Sequence, residues 1–314
     1  MGTTDSAAGS AGWIHVREVG PRDGFQNEPE RISTDDKLLL VGALMRSGVR
    51  RIELTSFVRP DVIPQLADGA ELLDRLEPVP GVSRSVLIPN ERGLDRALEQ
   101  RDRFDEVSVF LSASETHNRK NVNRSVEESL DGLRRVLARA GEAGLRRVAV
   151  IATSFGCPYE GAVPVERVAE IARELRDAGA EEIGFGDTTG MANPRQVGRF
   201  FPALADALGP DVELTAHFHN TRGQGLANVL AALDAGCRSF ESSFGELGGC
   251  PVPAGATGNI ATEDLVSMLH EMGHGTGIDL PAVIAASREA QRVIGRPLGS
   301  HTLVAGPIDW NARA

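Results

Sequence analysis

The 314-residue sequence predicts a single (β/α)8 TIM barrel with extra C-terminal helices. Short β-rich runs alternate with longer amphipathic segments from residue 14 onward, eight such runs occur, and no linker-like stretch divides the chain. A doubly wound open sheet is the alternative fold. That fold usually carries a phosphate-binding glycine fingerprint after its first strand, and Gly20-Pro21-Arg22-Asp23-Gly24 is not one.

The predicted elements follow in regular order. The eight candidate strands are residues 14–19, 49–55, 83–88, 106–111, 147–153, 182–186, 213–219 and 239–243. The amphipathic segments between them are residues 34–47, 62–76, 92–100, 126–143, 165–178, 194–208 and 223–235. Pro194 opens one predicted helix, and Gly48, Gly144 and Gly179 close others. A glycine-rich loop follows the eighth strand, and two further helices are expected near 262–272 and 281–294.

The composition restricts the partners and the compartment. A net charge of −11 argues against nucleic acid and anionic membranes, and no apolar run is long enough to span a bilayer. Residues 1–12 are small and polar and lack the features of a signal peptide, so we expect a disordered tail before one domain at 13–314. The three cysteines are widely spaced and cannot all pair. These features predict a cytoplasmic protein.

Polar residues cluster where the predicted strands end, which is where TIM barrels carry their catalytic groups. Arg22 and Asp23 follow the first strand, although Pro-Arg-Asp-Gly could also be a surface turn. The remaining candidates on the same rim are Glu53, Asp187, His217, His219, Cys250, Asn259 and Glu263.

The most informative pattern is His217-Phe218-His219. Residues i and i+2 of a strand face the same side, so both imidazoles are expected to project into one site. Adding Asp23 and Asn259 gives two nitrogen and two oxygen ligands, which suit Mg²⁺ or Mn²⁺. Non-haem Fe(II) held by two histidines and a carboxylate is the competing interpretation.

The other rim residues have less specific patterns. Glu53 is expected to orient Arg22 or a histidine, and Asp187 either does the same or carries a proton. Glu263 is an acidic residue in the first turn of a helix or a support for Asn259. Cys250 lies in a glycine-rich loop that could close over substrate, where a thiol can transfer a proton. Basic and amide groups at residues 119–124, including Asn121, could bind phosphates or lie in a solvated loop.

Together these residues resemble the hydroxymethylglutaryl-CoA lyase branch of the metal-dependent lyase and synthase superfamily that includes isopropylmalate synthase. The resemblance runs from about residue 16 to 293. Its markers are residues 19–28, 52–58, Gly-Cys-Pro-Tyr-Glu-Gly at 156–161, His-Phe-His at 217–219, Gly-Gly-Cys-Pro at 248–251 and residues 258–264. The cysteine loop and the Gly-Cys-Pro-Tyr-Glu-Gly motif favour the lyase over the synthases.

The resemblance implies a TIM-barrel lyase that cleaves 3-hydroxy-3-methylglutaryl-CoA to acetyl-CoA and acetoacetate, with an acyl-CoA as its small-molecule partner and a homodimer as its assembly. It implies that Arg22 stabilises the thioester enolate and that Cys250 takes part in proton transfer. The implied metal ligands are Asp23, His217, His219 and Asn259; the implied acidic residues are Glu53, Asp187 and Glu263; the implied substrate-binding residues are Arg22, Gln26 and Asn121.

Four positions depart from the pattern of the resembled lyases. Asn220 replaces the usual Asp, Arg222 stands where Tyr is often found, Glu246 replaces a Gly and Val252 replaces an aromatic residue. A related 3-hydroxyacyl-CoA therefore stays open as the substrate. Two other functions also stay open: a Claisen-type synthase or aldolase that uses an α-keto acid, and a catalytically silent barrel that serves as a binding module.

Overall fold

Eight parallel strands form a closed barrel in this protein, as the sequence predicts. The computed structural model describes residues 12–249 and 257–310. Each strand pairs with the next in chain order, and β1 closes the barrel by pairing with β8. The strands are β1 (His15–Glu18), β2 (Arg51–Ser56), β3 (Ser83–Leu87), β4 (Glu106–Ser112), β5 (Arg146–Ala152), β6 (Glu182–Asp187), β7 (Glu213–Phe218) and β8 (Ser239–Ser242).

Helices surround the barrel and continue after β8. They are α1 (Thr34–Arg46), α2 (Gly69–Arg75), α3 (Glu91–Leu98), α4 (Glu115–Val122), α5 (Val126–Glu142), α6 (Val165–Asp177), α7 (Pro194–Leu208), α8 (Gly225–Asp234), α9 (Thr262–Glu271), α10 (Leu280–Ile294) and α11 (His301–Ala305). Among the described residues, no helix is both long enough and apolar enough to cross a membrane.

Local chemistry explains several of the helix boundaries. The Ser125 side chain and Glu128 form a reciprocal capping box at the start of α5. Asn193 caps α7, in which Pro194 occupies the first turn, where its missing N–H is not needed. Each cap satisfies backbone N–H groups that have no partner inside the helix.

Two parts of the expected helix pattern are wrong. Residues 62–76 do not form one helix, because a 3₁₀ turn at Pro64–Leu66 precedes the short α2. Residues 119–124 are not simply a loop, because residues 119–122 belong to α4, whose first turn is capped by the Ser114 hydroxyl. The region for which phosphate-binding groups and a solvated loop were the two alternatives is therefore largely helical.

The barrel interior is charged near the amino-terminal ends of the strands. Arg17 on β1 contacts Glu106 on β4 at 2.8 Å and Glu182 on β6 at 3.0 Å. Because these strands are not neighbours, the side chains must meet across the interior. Arg51 and Arg146 join the same cluster, which we call the interior ion cluster; its members are Arg17, Arg51, Arg146, Glu106, Glu182, Glu213 and Glu241.

Candidate metal centre and active site

A π-helical turn at Gly20–Gly24 ends β1 and presents Arg22 and Asp23 side by side. The Val19 carbonyl accepts hydrogen bonds from the N–H groups of Arg22 and Asp23, at 3.1 and 2.7 Å. Gly20, Pro21 and Gly24 are buried, so this segment is not a solvent-exposed surface turn. The backbone bonds fix both functional side chains at the carboxyl end of β1.

Arg22 is held by two carboxylates. Its Nε donates to Glu53 Oε2 at 2.5 Å, and its Nη1 donates to Asp23 Oδ1 at 2.7 Å. Burial works to lower the pKa of Arg22, but Glu53 and Asp23 outweigh it and raise the pKa above its ordinary value. Glu53, the third residue of β2, thus orients Arg22, which is one of the two roles that the sequence predicts for it.

Asp23 lies beside two histidines, His217 on β7 and His219 just after it. One potential ligand atom from each of Asp23, His217 and His219 falls within 4.8 Å of the others. The two histidine Nε2 atoms are 3.1 Å apart. Asn259 joins the group, because its Nδ2 donates to Asp23 Oδ2 at 2.8 Å and its backbone forms an isolated β-bridge with His219. The structure therefore brings together all four residues that the sequence predicts as metal ligands.

The donor set of this cluster fits a divalent cation. Asn259 Oδ1 is buried and has no hydrogen-bond partner among the described residues. Buried polar atoms are normally satisfied, so a bound cation is the kind of partner that this group lacks. Carboxylate and amide oxygens with imidazole nitrogens are ligands that Mg²⁺, Mn²⁺ and Fe²⁺ accept.

The protonation states suit metal binding at neutral pH. Burial works to raise the pKa of Asp23, but Arg22 and the histidines outweigh it and lower the pKa to about 2. Burial, with His217 nearby, lowers the pKa of His219 to about 4. Asp23 is therefore ionised and His219 is neutral, and these are the forms that bind a metal ion.

Glu241 on β8 is a site residue that the sequence reasoning missed. His217 Nδ1 lies 2.8 Å from Glu241 Oε2, and β7 pairs these two residues directly with each other. Burial works to raise the pKa of Glu241, but His217 and Arg17 lower it, so Glu241 is ionised and can only accept. His217 must therefore donate from Nδ1, which leaves Nε2 free to bind a cation. The sequence did contain a signal for Glu241, because an acidic residue inside a buried strand needs a partner.

Asp187 and Glu263 are both buried, but they have different surroundings. Asp187 Oδ1 accepts the N–H groups of Met191 and Ala192, at 2.7 and 2.9 Å, and burial raises its pKa to about 7. Glu263 accepts the Gly245 N–H at 3.0 Å and the Ser287 hydroxyl, and burial raises its pKa to about 7. Glu263 thus supports the turn after β8, whereas Asp187 stands at the end of a barrel strand.

Glu18 also supports this turn and was not singled out from the sequence. Its carboxylate accepts the N–H groups of Gly20 and Phe244 and the hydroxyl of Thr262, at distances between 2.7 and 3.2 Å. Burial raises its pKa to about 8. Glu18 therefore connects the Arg22–Asp23 turn to the segment after β8.

The remaining predicted residues lie farther along the rim. Gln26 lines a cavity of about 400 Å³ together with Val62 and Ile63. Asn121 is exposed near the end of α4, and no described contact joins it to the four candidate metal ligands. Cys250 lies outside the described residues. Arg222 donates to the carbonyl groups of Thr189 and Gly190 in the loop after β6, at 2.9 and 2.6 Å.

A closed barrel with an Asp–His–His cluster at the carboxyl ends of its strands has the architecture of a metal-dependent TIM-barrel enzyme. Comparison with known proteins is more specific, because the HMGL-like family model matches residues 14–289. Hydroxymethylglutaryl-CoA lyase YngG of Bacillus subtilis is 45% identical over 290 residues, which cover 92% of this chain and 96% of that protein. The chain therefore belongs to the hydroxymethylglutaryl-CoA lyase family, a family of carbon–carbon lyases.

Two further relatives extend the comparison. The 3-hydroxy-3-isohexenylglutaryl-CoA/hydroxymethylglutaryl-CoA lyase of Pseudomonas aeruginosa is 40% identical over 287 residues, covering 91% of this chain and 95% of that protein. An HMG-CoA lyase from Acinetobacter baumannii, solved in complex with coenzyme A and 3-methylmalate, superposes with a TM-score of 0.91. It is 39% identical and covers 100% of this chain and 99% of that chain.

Proposed function

We propose that this protein cleaves 3-hydroxy-3-methylglutaryl-CoA to acetyl-CoA and acetoacetate with the help of Mg²⁺ or Mn²⁺. The observation that carries the proposal is the convergence of Arg22 with Asp23, His217 and His219 at the carboxyl end of the barrel. In this arrangement the guanidinium of Arg22, which can stabilise a developing negative charge, lies beside residues that can bind a cation. The names of the relatives support the substrate.

Asp23, His217, His219 and Asn259 would hold the ion. When bound, the ion supplies a Lewis acid that lowers the pKa of a coordinated hydroxyl group. Glu241 keeps the Nδ1 proton on His217, and Asn259 donates to Asp23, so the protein orients two of these ligands before any ion binds.

The reaction requires a base, a bond cleavage and a proton return. A base removes the proton from the 3-hydroxyl group, the C2–C3 bond breaks, C3 becomes the ketone of acetoacetate, and the bonding electrons form the enolate of acetyl-CoA. Arg22 is positioned to stabilise the enolate oxygen, because Glu53 and Asp23 fix its guanidinium before substrate binds. Protonation of C2 then completes acetyl-CoA.

Two residues are assigned to the proton transfers. Asp187 is suited to accept the hydroxyl proton, because a pKa of about 7 lets it exchange a proton at neutral pH. Cys250 is assigned the return of a proton to C2 on the basis of its place in the sequence motif. Gln26 is assigned to substrate binding on the same basis. Asn121 is assigned to it because it lies among the basic and amide groups at residues 119–124, which suit the phosphates of an acyl-CoA. The family resemblance supports a homodimer, and the widely spaced cysteines, which cannot all pair, support a cytoplasmic location.

The direct test measures acetyl-CoA release from hydroxymethylglutaryl-CoA by purified protein with Mg²⁺ or Mn²⁺. We expect release with the wild type, and a loss of at least about a hundredfold in Arg22→Met and Asp23→Asn, because each removes charge stabilisation or a metal ligand. Arg59→Met changes an exposed arginine and is the matched control. Full activity in Arg22→Met would contradict the assigned role of Arg22.

The acyl specificity is tested with a panel of 3-hydroxyacyl-CoAs that includes 3-hydroxy-3-isohexenylglutaryl-CoA. We expect the methyl substrate to give the highest kcat/KM. Higher activity with the longer alkyl group would reassign the substrate while leaving the lyase chemistry intact. Release of thiol from acetyl-CoA only when an α-keto acid is added would instead identify a synthase.

A further inference from the structure

Asn220 connects three segments at the carboxyl end of the barrel. It directly follows His219, and its Nδ2 donates to Glu246 Oε1 at 2.9 Å. Its Oδ1 lies 3.3 Å from the backbone nitrogen of Gly225, at the start of α8. The end of β7, the first turn of α8 and the turn after β8 are therefore joined through one side chain.

Glu246, which accepts the hydrogen bond from Asn220, has an unusual backbone conformation. Its φ is +61°, in the left-handed region that side chains other than glycine rarely adopt. Its carboxylate is half-buried and packs over Gly299, where an added Cβ would lie 2.1 Å from Oε2. Among the described residues, the Asn220 amide is the only hydrogen-bond donor to this carboxylate.

Both residues also contact Gly258, which immediately precedes Asn259. The backbone N–H of Asn220 donates to the Gly258 carbonyl at 3.1 Å. A Cβ at Gly258 would lie 2.2 Å from the carbonyl oxygen of Glu246, so the two backbones are in close contact there. Asn259 in turn forms its β-bridge with His219. The contacts of Asn220 and Glu246 thus surround the segment that places Asn259 next to His219.

We propose that Asn220 and Glu246 are a coupled pair of positioning residues that holds Asn259 beside His219 in the metal centre. The pair works because an amide can donate to a carboxylate. An aspartate at position 220 would set two carboxylates against each other, whereas a glycine at position 246 would remove both the second carboxylate and the unfavourable φ. These are also two of the four positions at which the chain departs from the pattern of the lyases, so the geometry makes the two departures a single linked change.

The test is a double-mutant cycle of wild type, Asn220→Asp, Glu246→Gly and the double variant. The readouts are Mn²⁺ affinity by calorimetry and urea denaturation without metal. We expect Asn220→Asp to weaken Mn²⁺ binding by about tenfold, as outer-sphere changes do. We expect the double variant to return to within about threefold of wild type. Asn193→Asp is the matched control, because it makes the same change at the N-cap of α7, where aspartate is equally suitable.

The two readouts separate the possible failures. This inference rests on the proposed function, because Asn259 is assigned to the metal there. If the wild type bound no Mn²⁺, the metal assignment would be overturned, and the positioning role would be overturned with it. The denaturation cycle alone would then report whether Asn220 and Glu246 are coupled. Additive effects on both readouts would overturn the coupling. Coupling in denaturation with unchanged Mn²⁺ affinity would show that the pair stabilises the fold without positioning Asn259.

Discussion

At the scale of single residues, Glu241 decides which nitrogen of His217 is free to bind a cation. The carboxylate accepts from Nδ1 and also lies 3.8 Å from Arg17 Nε. Burial works to lower the pKa of His217, but the bond to Glu241 raises it overall, so the imidazole becomes a stronger base. A more basic imidazole is a better ligand.

Glu241→Gln should weaken Mn²⁺ binding by about tenfold, because the amide keeps the shape of the side chain but loses its negative charge. Calorimetric titration with Mn²⁺ measures the change. Glu71→Gln is the control, because Glu71 pairs with Arg75 on the exposed side of α2. Equal affinity in Glu241→Gln and wild type would show that His217 does not depend on this carboxylate.

Asp187 gives a pH dependence with a defined sign. Its pKa is about 7 in the folded protein and 3.8 ordinarily, so between these values the folded protein holds a proton that the unfolded chain has released. The contribution of Asp187 to the free energy of unfolding is fully present below pH 3.8 and is lost as the pH rises towards 7.

Asp187→Asn should remove this dependence. An asparagine Oδ1 can accept the same two backbone N–H groups, so the fold is retained. The free energy of unfolding of the variant, relative to wild type, should rise by up to about 1.4 kcal/mol per pH unit between about pH 4 and 7. Urea denaturation at several pH values measures it, and parallel curves for the two proteins would contradict the assigned pKa shift.

At the scale of elements, the turn at Gly20–Gly24 depends on close packing against the segment after β8. A Cβ at Gly20 would lie 2.4 Å from the Phe244 ring, and a Cβ at Gly24 would lie 2.9 Å from the Leu247 Cβ. Glycine at these positions lets the turn approach the segment that leads to Asn259. The close contact therefore sets the distance between Asp23 and its partners.

Gly24→Ala should destabilise the protein by about 1–3 kcal/mol and also weaken Mn²⁺ binding, because the added methyl group pushes the turn away from Leu247. Gly198→Ala is the control, because nothing lies within 4 Å of its Cβ on α7, and alanine should stabilise that helix by about 0.5–1 kcal/mol. Thermal unfolding and Mn²⁺ titration measure both effects. Unchanged Mn²⁺ affinity in Gly24→Ala would show that metal binding does not depend on the packing of this turn.

The sequence predicted the strands better than it predicted the short polar elements. Short β-rich runs placed all eight barrel strands, because strands that are buried on two faces read as nearly continuous apolar segments. The helix α4 was missed because Glu115–Val122 has almost no apolar stripe. Its start is fixed by the Ser114 cap and by a buried Asn118 side chain that holds the chain at residues 124 and 125. Such contacts are tertiary and leave no periodic signal.

Most of the candidate site was predictable because its residues lie at strand ends or in the segments that follow them. The four candidate ligands were found because the carboxyl ends of barrel strands meet on one rim. Glu241 and Glu18 were missed because the role of each buried acid depends on which groups the closed barrel places next to it. The link between Asn220 and Glu246 likewise depends on the packing of two loops.

At the scale of the whole molecule, the barrel interior is stabilised by charge as well as by apolar packing. Arg17 is fully buried, and although burial works to lower its pKa, the surrounding glutamates raise it. The interior ion cluster combines three arginines with four glutamates drawn from seven strands. Removing one member of the cluster leaves the oppositely charged groups around it buried without a partner.

Arg17→Met should therefore destabilise the protein by about 3–5 kcal/mol. Arg59→Met removes an arginine whose side chain is 72% exposed, and it should cost less than about 1 kcal/mol. Urea denaturation of the two variants gives the comparison. A cost for Arg17→Met no larger than that for Arg59→Met would show that the interior ion cluster does not stabilise the fold.

The contact between Glu241 and Arg17 has a consequence for protein engineering. Replacing the interior ion cluster with aliphatic side chains would remove Arg17, the positive charge next to Glu241. The loss would change how strongly Glu241 polarises His217 and hence how strongly His217 binds a metal ion. Thermostability and metal affinity are therefore not independent design variables in this barrel. A library that varies the interior should be screened for both properties together.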